Sequence, residues 1–205
     1  MVEVVNVAVL VSGGGTNLQA LIDAKAAGKL PHVNFVCVLS SKEGAYALKR
    51  AEAAGIPAEV VPRKAYPGKE EYSRALDGAL SRYGAKIVVL AGFLCILSGE
   101  FCKKYTNRII NVHPSLIPSF CGDGFYGLRV HEAALAYGVK VSGATVHFVN
   151  EITDGGRIIL QKAVPVLEGD TPETLQRRIM EQAEWELLPK AVELVCEQTE
   201  GEESK

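Results

Sequence analysis

The sequence lacks the features that mark disulfide-rich, zinc-binding, membrane-spanning and nucleic-acid-binding proteins. Its five cysteines are scattered and odd in number, and no two form a Cys-x-x-Cys pair, which disfavours a disulfide framework and a zinc site. No apolar run approaches the roughly 20 residues of a membrane span. The 22 basic and 24 acidic residues give a formal net charge of -2, so no overall positive field favours nucleic acid. We therefore expect no metal, no nucleic acid partner and no membrane.

The composition is that of a globular protein with a substantial core. The chain has 205 residues, of which 48% are hydrophobic and 22% charged, values that suit one large domain. No charged leader or cleavage site precedes the first strand, so we expect no signal peptide, and the cysteine usage favours the cytoplasm. We predict a single domain over residues 1–197 and a flexible, charged tail over 198–205. Whether the protein is a monomer or a homodimer stays open.

Apolar runs and helical patterns alternate along the chain, which predicts an α/β fold, doubly wound around a mostly parallel sheet. A long final helix should kink at Pro189. The run at 87–93 is the most hydrophobic and should be the central strand, and the last two strands should form an antiparallel pair. The predicted strands are 6–12, 33–39, 58–61, 87–93, 109–113, 139–150 and 158–166, and the predicted helices are 18–24, 45–54, 69–83, 130–137 and 171–197.

A glycine-rich turn follows the first strand, at Gly13, Gly14 and Gly15. Thr16 or Asn17 can cap the next helix, and a helix N-terminus attracts phosphate because its N–H groups are free. The turn is not a Walker loop and lacks the full Gly-x-Gly-x-x-Gly spacing. A single phosphate therefore fits better than a pyrophosphate, with a plain strand–helix turn as the alternative.

Asn111 and His113 close an apolar run immediately before Pro114. Residues two apart on a strand point to the same side, and open α/β sheets bind ligands at the carboxyl ends of their strands. Together with Asp154, which lies in a glycine turn, the pair suits attack on a carbonyl, because an amide stabilises an oxyanion and an imidazolium donates a proton. A core histidine and a solvated turn aspartate are the alternatives.

The chain contains no Gly-x-Ser-x-Gly nucleophile elbow, so direct attack by a substrate amine is the simplest scheme. A carboxylate beside His113 would raise the pKa of the imidazole above its usual value of about 6.5. Of the other histidines, we expect His131 to be exposed on a helix and His147 to be a packed strand residue. Residues 94–97 form an apolar wall for a flat heterocycle, with simple core as the alternative, and the long loop at 115–128 is typical of a functional loop.

These motifs together resemble the phosphoribosylglycinamide formyltransferases, a family of folate-dependent enzymes of purine biosynthesis. The resemblance runs from Asn6 to about Val195. Its carriers are Ser12-Gly-Gly-Gly-Thr-Asn17, Ala91-Gly-Phe93, Ile110-Asn-Val-His-Pro-Ser-Leu-Ile-Pro118, Thr145-Val-His-Phe-Val149 and Asp154-Gly-Gly156.

The resemblance implies a Rossmann-like formyltransferase fold and transfer of a formyl group from 10-formyltetrahydrofolate, the co-substrate, to the amine of glycinamide ribonucleotide. Asn111, His113 and Asp154 match the family's catalytic residues. The residues implied to bind the phosphate and ribose are Gly13, Gly14, Gly15, Thr16, Asn17 and Glu184. Those implied to bind the folate are Lys69, Leu94, Cys95, Ile96, Leu97, Asn111, Asn150 and Asp154. Lys69 and Cys95 stand where relatives often carry arginine.

Three other functions are alternatives to this one. A 10-formyltetrahydrofolate hydrolase would use water in place of the amine, and such relatives typically carry an extra N-terminal domain. A methionyl-tRNA formyltransferase would add a C-terminal domain and a basic surface. A non-catalytic nucleotide-binding module would not require Asn111, His113 and Asp154 together.

Overall fold

The computed structural model describes residues 4–203 of the chain, with side chains through residue 199. One seven-stranded sheet has the strand order β3-β2-β1-β4-β5-β6-β7. β1 to β5 run parallel, and β6 and β7 are antiparallel to their neighbours. This confirms the mostly parallel α/β sheet and its antiparallel final pair. The strands are β1 Val5–Val11, β2 Val33–Ser40, β3 Ala58–Val60, β4 Ile87–Leu90, β5 Ile109–His113, β6 Val141–Phe148 and β7 Ile158–Pro165.

Helices cover both faces of the sheet. α1, α2, α6 and α7 pack against one face, where Val9, Val89 and Val112 belong to the core, and α3 and α4 pack against the other. The central parallel strands are almost wholly buried because both of their faces are covered. The helices are α1 Thr16–Ala26, α2 Tyr46–Ala53, α3 Lys69–Arg82, α4 Gly99–Lys104, α5 Leu128–Tyr137, α6 Pro172–Ile179 and α7 Trp185–Glu203, with a short 3-10 helix at Arg63–Ala65.

β4 is the middle strand, as predicted, but it ends at Leu90 rather than at residue 93. Gly92 has a φ of 70°, a conformation that favours glycine, and the chain leaves the sheet there. Residues 91–97 then emerge beside Asn111, because Leu90 and Asn111 are partners in the sheet. The early end of β4 therefore brings the predicted apolar wall next to the predicted catalytic strand.

The helix α4 was not predicted, and the final helix differs from its predicted bounds. α4 begins after Ser98, whose hydroxyl accepts the Phe101 N–H, a capping signal that could have been recognised. The predicted final helix is three segments, because a π-helical segment, Met180–Glu184, separates α6 from α7. Pro189 lies inside α7, which continues through Glu203 instead of ending at residue 197. Residues 204 and 205 of the predicted tail lie outside the described part.

Within the described residues 4–203, none of the helices has the length and apolar character needed to cross a bilayer.

Candidate active site

Four polar side chains share one face of the sheet where β5 meets β6. Asn111 pairs with His147 across the two strands, and His113 pairs with Thr145. Directly opposite residues on antiparallel strands point the same way, so the four form two neighbouring transverse rows. Asn111 and His113 therefore point to the same side of the sheet, as predicted, with His147 and Thr145 beside them.

Both ring nitrogens of His113 face oxygen atoms. Nδ1 is 3.5 Å from Oδ2 of Asp154, and Nε2 lies 2.9 Å from the carbonyl oxygen of Phe120. The His113 and Asp154 side chains are 6% and 9% exposed, so the pair is shielded from solvent. The structure thus brings together the histidine and the aspartate that are 41 positions apart in the chain, which spacing alone could not show.

The predicted direction of the His113 pKa is wrong. Burial lowers the pKa of His113 below its ordinary value; Asp154 and the Phe120 carbonyl act in the opposite direction but do not outweigh it. The physical reason is that removing an imidazolium from water costs more than these partners return. The free protein accordingly favours neutral His113 at neutral pH, with its proton on Nε2 toward Phe120.

Asp154 is held in place by a tight turn. Its φ is 55°, in the left-handed region that aspartate tolerates better than most residues. Oδ2 accepts the Gly122 N–H at 2.9 Å, which ties the turn to loop 114–127. At Gly156 a Cβ would lie 1.8 Å from the Phe148 carbonyl oxygen, so only glycine fits there. Burial raises the pKa of Asp154, but His147, His113 and the Gly122 N–H together hold it below its ordinary value.

His147 belongs to the site, although the sequence placed it only as a packed strand residue. It is 1% exposed, and its Nδ1 donates to the Phe148 carbonyl at 2.8 Å. With that proton on Nδ1, Nε2 accepts from the Asn111 amide at 3.2 Å. Nε2 is also 3.6 Å from Oδ1 of Asp154. The signal that could have found it is the register of β6, which places His147 opposite Asn111.

His131 was predicted to be exposed, and this is wrong. Its side chain lies on the inner face of α5 and is fully buried. Burial, with a smaller repulsion from His113, lowers the pKa of His131 to about 4. A histidine on one helical face cannot be assigned to the core or to solvent without the neighbouring element.

The glycine turn opens α1 without a side-chain cap. Gly15 occupies the N-cap position with a φ of 73°. The predicted cap by Thr16 or Asn17 is therefore wrong. A Cβ on Gly15 would lie 2.6 Å from the Cβ of Ala47, and Gly13 and Gly14 are exposed. Arg50 donates from Nε to the Gly14 carbonyl at 2.9 Å. The helix N-terminus is thus open to an anion, with a guanidinium beside it.

Asn17 and Glu184, two residues implied by the resemblance, are in direct contact. Nδ2 of Asn17 donates to Oε2 of Glu184 at 2.7 Å. Glu184 is buried in the π-helical segment, and this burial raises its pKa to about 6, although Asn17 acts to lower it. Oδ1 of Asn17 is buried without a protein partner among the described residues. A buried carboxylate and an unpaired amide oxygen can both accept hydrogen bonds from hydroxyl groups of a ligand.

The predicted wall is only partly in the core. Leu94 and Ile96 are 61% and 63% exposed, whereas Leu97 is buried. The segment is fixed to the end of β1, because the Leu94 N–H donates to Oγ of Ser12 at 2.9 Å. Two exposed aliphatic side chains on a well-anchored segment present an apolar surface that suits a flat ligand.

The remaining predicted folate contacts, Lys69 and Asn150, lie at the ends of elements. Lys69 is the first residue of α3. Oδ1 of Asn150 accepts the Ile152 N–H at 2.9 Å, so this side chain shapes the turn that carries Asp154. Neither side chain is hydrogen-bonded to Asn111 or His113.

Comparisons with known proteins decide the family. The family model described as "Formyl transferase" matches residues 5–192. The chain is 39% identical over 191 residues to phosphoribosylglycinamide formyltransferase of Haemophilus influenzae, an alignment that covers 93% of this chain and 87% of that protein. The chain belongs to the phosphoribosylglycinamide formyltransferase family.

Two further similarities extend the family assignment. A crystal structure of glycinamide ribonucleotide transformylase 1 from Symbiobacterium toebii superposes with a TM-score of 0.88 at 43% identity, covering 95% of this chain and 89% of that one. The trifunctional purine biosynthetic protein adenosine-3 of Gallus gallus is 47% identical over 194 residues, or 94% of this chain. The aligned part spans only 18% of that longer relative.

Proposed function

We propose that the protein is a phosphoribosylglycinamide formyltransferase, which transfers the formyl group of 10-formyltetrahydrofolate to the amine of glycinamide ribonucleotide in de novo purine biosynthesis. The observation that carries the proposal is the convergence of Asn111, His113 and Asp154 at the carboxyl end of β5, where His113 and Asp154 are shielded from solvent. Membership of the formyltransferase family supports this choice of substrates. We place the reaction in the cytoplasm, in keeping with the five free cysteines.

The ribonucleotide fits the α1 side of the site. Its phosphate would bind at the uncapped N-terminus of α1, at Gly13, Gly14, Gly15, Thr16 and Asn17, where free N–H groups and the helix dipole favour an anion. Its ribose hydroxyls would donate to Glu184 and to Oδ1 of Asn17, the buried acceptors beside that seat. Residues 13–17 and the distant Glu184 thus form the ribonucleotide-binding half of the proposed site.

The folate fits the exposed apolar wall. Leu94 and Ile96 would contact the flat pterin, and main-chain groups of residues 94–97 would hydrogen-bond its edges. Cys95 and Leu97 contribute through the backbone, so the arginine-to-cysteine difference at Cys95 leaves this role intact. When bound, 10-formyltetrahydrofolate supplies the activated formyl group. Lys69, Asn150 and Asp154 complete the predicted folate contacts.

The catalytic groups stabilise the charge that develops on the formyl oxygen and transfer protons to and from the two nitrogens. The glycinamide amine attacks the formyl carbon directly. The side-chain amide of Asn111 donates a hydrogen bond to the formyl oxygen as negative charge develops there. When His113 is charged, Nδ1 also carries a proton and, unlike Nε2, is not held by the Phe120 carbonyl, so Nδ1 donates toward the nitrogen that departs. Burial lowers the pKa of the imidazolium and so makes it the stronger acid for this step. Asp154 stabilises the imidazolium and, through water, accepts the proton that the attacking amine loses. The attacking amine thus loses one proton to Asp154, and the departing nitrogen gains one from His113.

An assay of tetrahydrofolate release tests the proposal. The enzyme is incubated with 10-formyltetrahydrofolate in the presence and absence of glycinamide ribonucleotide, and formylated ribonucleotide is measured in parallel. We expect release only with the amine substrate and in a one-to-one ratio with product. Equal release without the ribonucleotide would indicate a hydrolase, and no release at all would favour the non-catalytic module.

A pair of histidine variants connects the assay to the site. His113→Ala should lower kcat by about 10²- to 10⁴-fold, the range of general acid–base catalysis. His32→Ala is the matched control, because His32 contacts Glu193 of α7, away from the catalytic strand. Near-normal turnover by a folded His113→Ala protein would refute the assigned role.

A further inference from the structure

Thr145 lies in a row of three side chains that crosses three adjacent strands. Its register partners are His113 on β5 and Gln161 on β7. Thr145 is fully buried, and the row ends at Gln161 on the edge strand. The proposed reaction assigns no role to Thr145 or Gln161.

The hydroxyl of Thr145 has its full set of partners. It donates to the Ser115 carbonyl at 2.7 Å and accepts from the Ile117 N–H at 3.1 Å and from Nε2 of Gln161 at 2.9 Å. A buried hydroxyl with one donor and two acceptor sites can form no more bonds. Two of these three partners belong to the loop that follows His113.

Gln161 binds the same loop. Its Nε2 also donates to the Ile117 carbonyl at 3.0 Å. Ser115, whose carbonyl Thr145 contacts, donates through its own hydroxyl to the Ser119 carbonyl at 2.6 Å. The polar chain therefore runs from the sheet to the residue immediately before Phe120.

The loop also lies close against β6. At Gly143 a Cβ would come within 2.9 Å of Cδ2 of Leu116 and 2.1 Å of the Lys162 carbonyl oxygen. The absence of a side chain at Gly143 lets the loop lie directly over the strand. Phe120, at the end of this path, has a φ of 49°, an uncommon conformation for a non-glycine residue that must be held by its surroundings.

We propose that Thr145 and Gln161 are positioning residues for His113: they fix loop 115–119 so that the Phe120 carbonyl holds Nε2 of His113 and directs Nδ1 toward Asp154. This inference rests on the proposed function, in which His113 is the proton donor. Without the two side chains the loop still packs on Gly143, but the Phe120 carbonyl is no longer held at the ring.

The test compares Thr145→Val, which removes only the hydroxyl, with Thr145→Ser, which keeps it. Thr145→Val should lower kcat roughly tenfold, in line with the loss of two to three hydrogen bonds to a buried group, with KM for both substrates changed by less than about twofold. Thr145→Ser should restore most of kcat. Gln161→Glu keeps the side-chain shape and removes the N–H donors, so it should lower kcat by roughly threefold.

The state of His113 is measured independently of activity by ¹⁵N NMR of the imidazole ring. In the parent protein we expect the proton on Nε2. In Thr145→Val we expect a mixture of tautomers and a lower His113 pKa, because the Phe120 carbonyl raises that pKa.

Unchanged kcat and an unchanged His113 spectrum in Thr145→Val would overturn the proposal, and so would equal losses in the valine and serine variants. If Thr145→Val does not fold, Gln161→Glu decides in the same way, since Gln161 is on an exposed edge. An inactive parent protein would refute the proposed function, and the NMR comparison would still decide whether these residues position His113.

Discussion

The imidazole of His147 accepts a hydrogen bond from the side-chain amide of Asn111, with 3.2 Å between Nε2 and Nδ2. The opposite ring nitrogen donates to the Phe148 carbonyl, which fixes the tautomer. One amide hydrogen of Asn111 is therefore used for orientation, and in the proposed reaction the other is available to the formyl oxygen.

Removing His147 should weaken catalysis through Asn111. We expect His147→Ala to lower kcat by roughly tenfold, because Asn111 loses the partner that orients it. Asn111→Ala should lower kcat by about 10²- to 10³-fold, as loss of an oxyanion donor does. In the double variant the two effects should not add, since both act on one group. Steady-state kinetics of the cycle checks this, and full additivity would contradict it.

Asp154→Asn should shift the pH profile of kcat. Asp154 raises the pKa of His113 against the effect of burial, so its loss lowers that pKa further. If the imidazolium is the active form, activity decreases as pH rises through this pKa, and the alkaline limb should therefore move to lower pH. A lower kcat at every pH should accompany the shift. A profile of unchanged position would show that Asp154 does not control the His113 proton.

Glu184→Gln should stabilise the protein at neutral pH and weaken ribonucleotide binding. Burial raises the Glu184 pKa from 4.5 to about 6, so the charged form costs stability as pH rises through this interval. Each pKa unit corresponds to about 1.4 kcal/mol, so we expect a gain on the order of 1–2 kcal/mol at pH 8 and little difference at pH 4.5. Thermal melts at both pH values measure it. An equal difference at the two pH values would contradict this explanation.

The same variant should raise KM for glycinamide ribonucleotide while leaving KM for the folate nearly unchanged. Amide oxygen still accepts from Asn17, so the local packing is kept. If the Glu184→Gln protein is stabilised but binds the ribonucleotide normally, Glu184 does not contact the ribose.

Leu94→Asn and Ile96→Asn should raise KM for 10-formyltetrahydrofolate without lowering stability. Both side chains are mostly exposed, so little core packing is lost, whereas an apolar contact with a ligand is worth roughly 1–3 kcal/mol. Leu167→Asn is the matched control, because Leu167 is 52% exposed and lies on the segment after β7. If the Leu167 change has the same effect on KM, the wall at 94–97 is not the folate site.

The alternation of apolar runs and helical patterns was enough to predict the sheet, because strands such as β1 and β4 are buried on both faces and are read directly from the sequence. The short helix α4 was missed, since six residues give too little periodicity. The irregular join between α6 and α7 was also missed. Its π turn depends on packing that no local pattern encodes.

The candidate site also has a part that could be predicted from the sequence and a part that could not. Asn111 and His113 could be paired from their spacing on one strand, but Asp154 and His147 join them only through the order and register of β5 and β6. The pKa of His113 was predicted in the wrong direction because burial, a property of the whole fold, outweighs the one carboxylate that reasoning from the sequence could supply. His131 was misplaced for the same reason.

The hydrogen bond between Asn17 and Glu184 joins positions 167 residues apart. Contacts of such long sequence separation form late, because the intervening chain must first be ordered. During synthesis the glycine turn leaves the ribosome long before the glutamate that completes its pocket. The proposed nucleotide half of the site is therefore complete only when nearly the entire chain has folded, so we expect an incomplete chain not to bind the ribonucleotide.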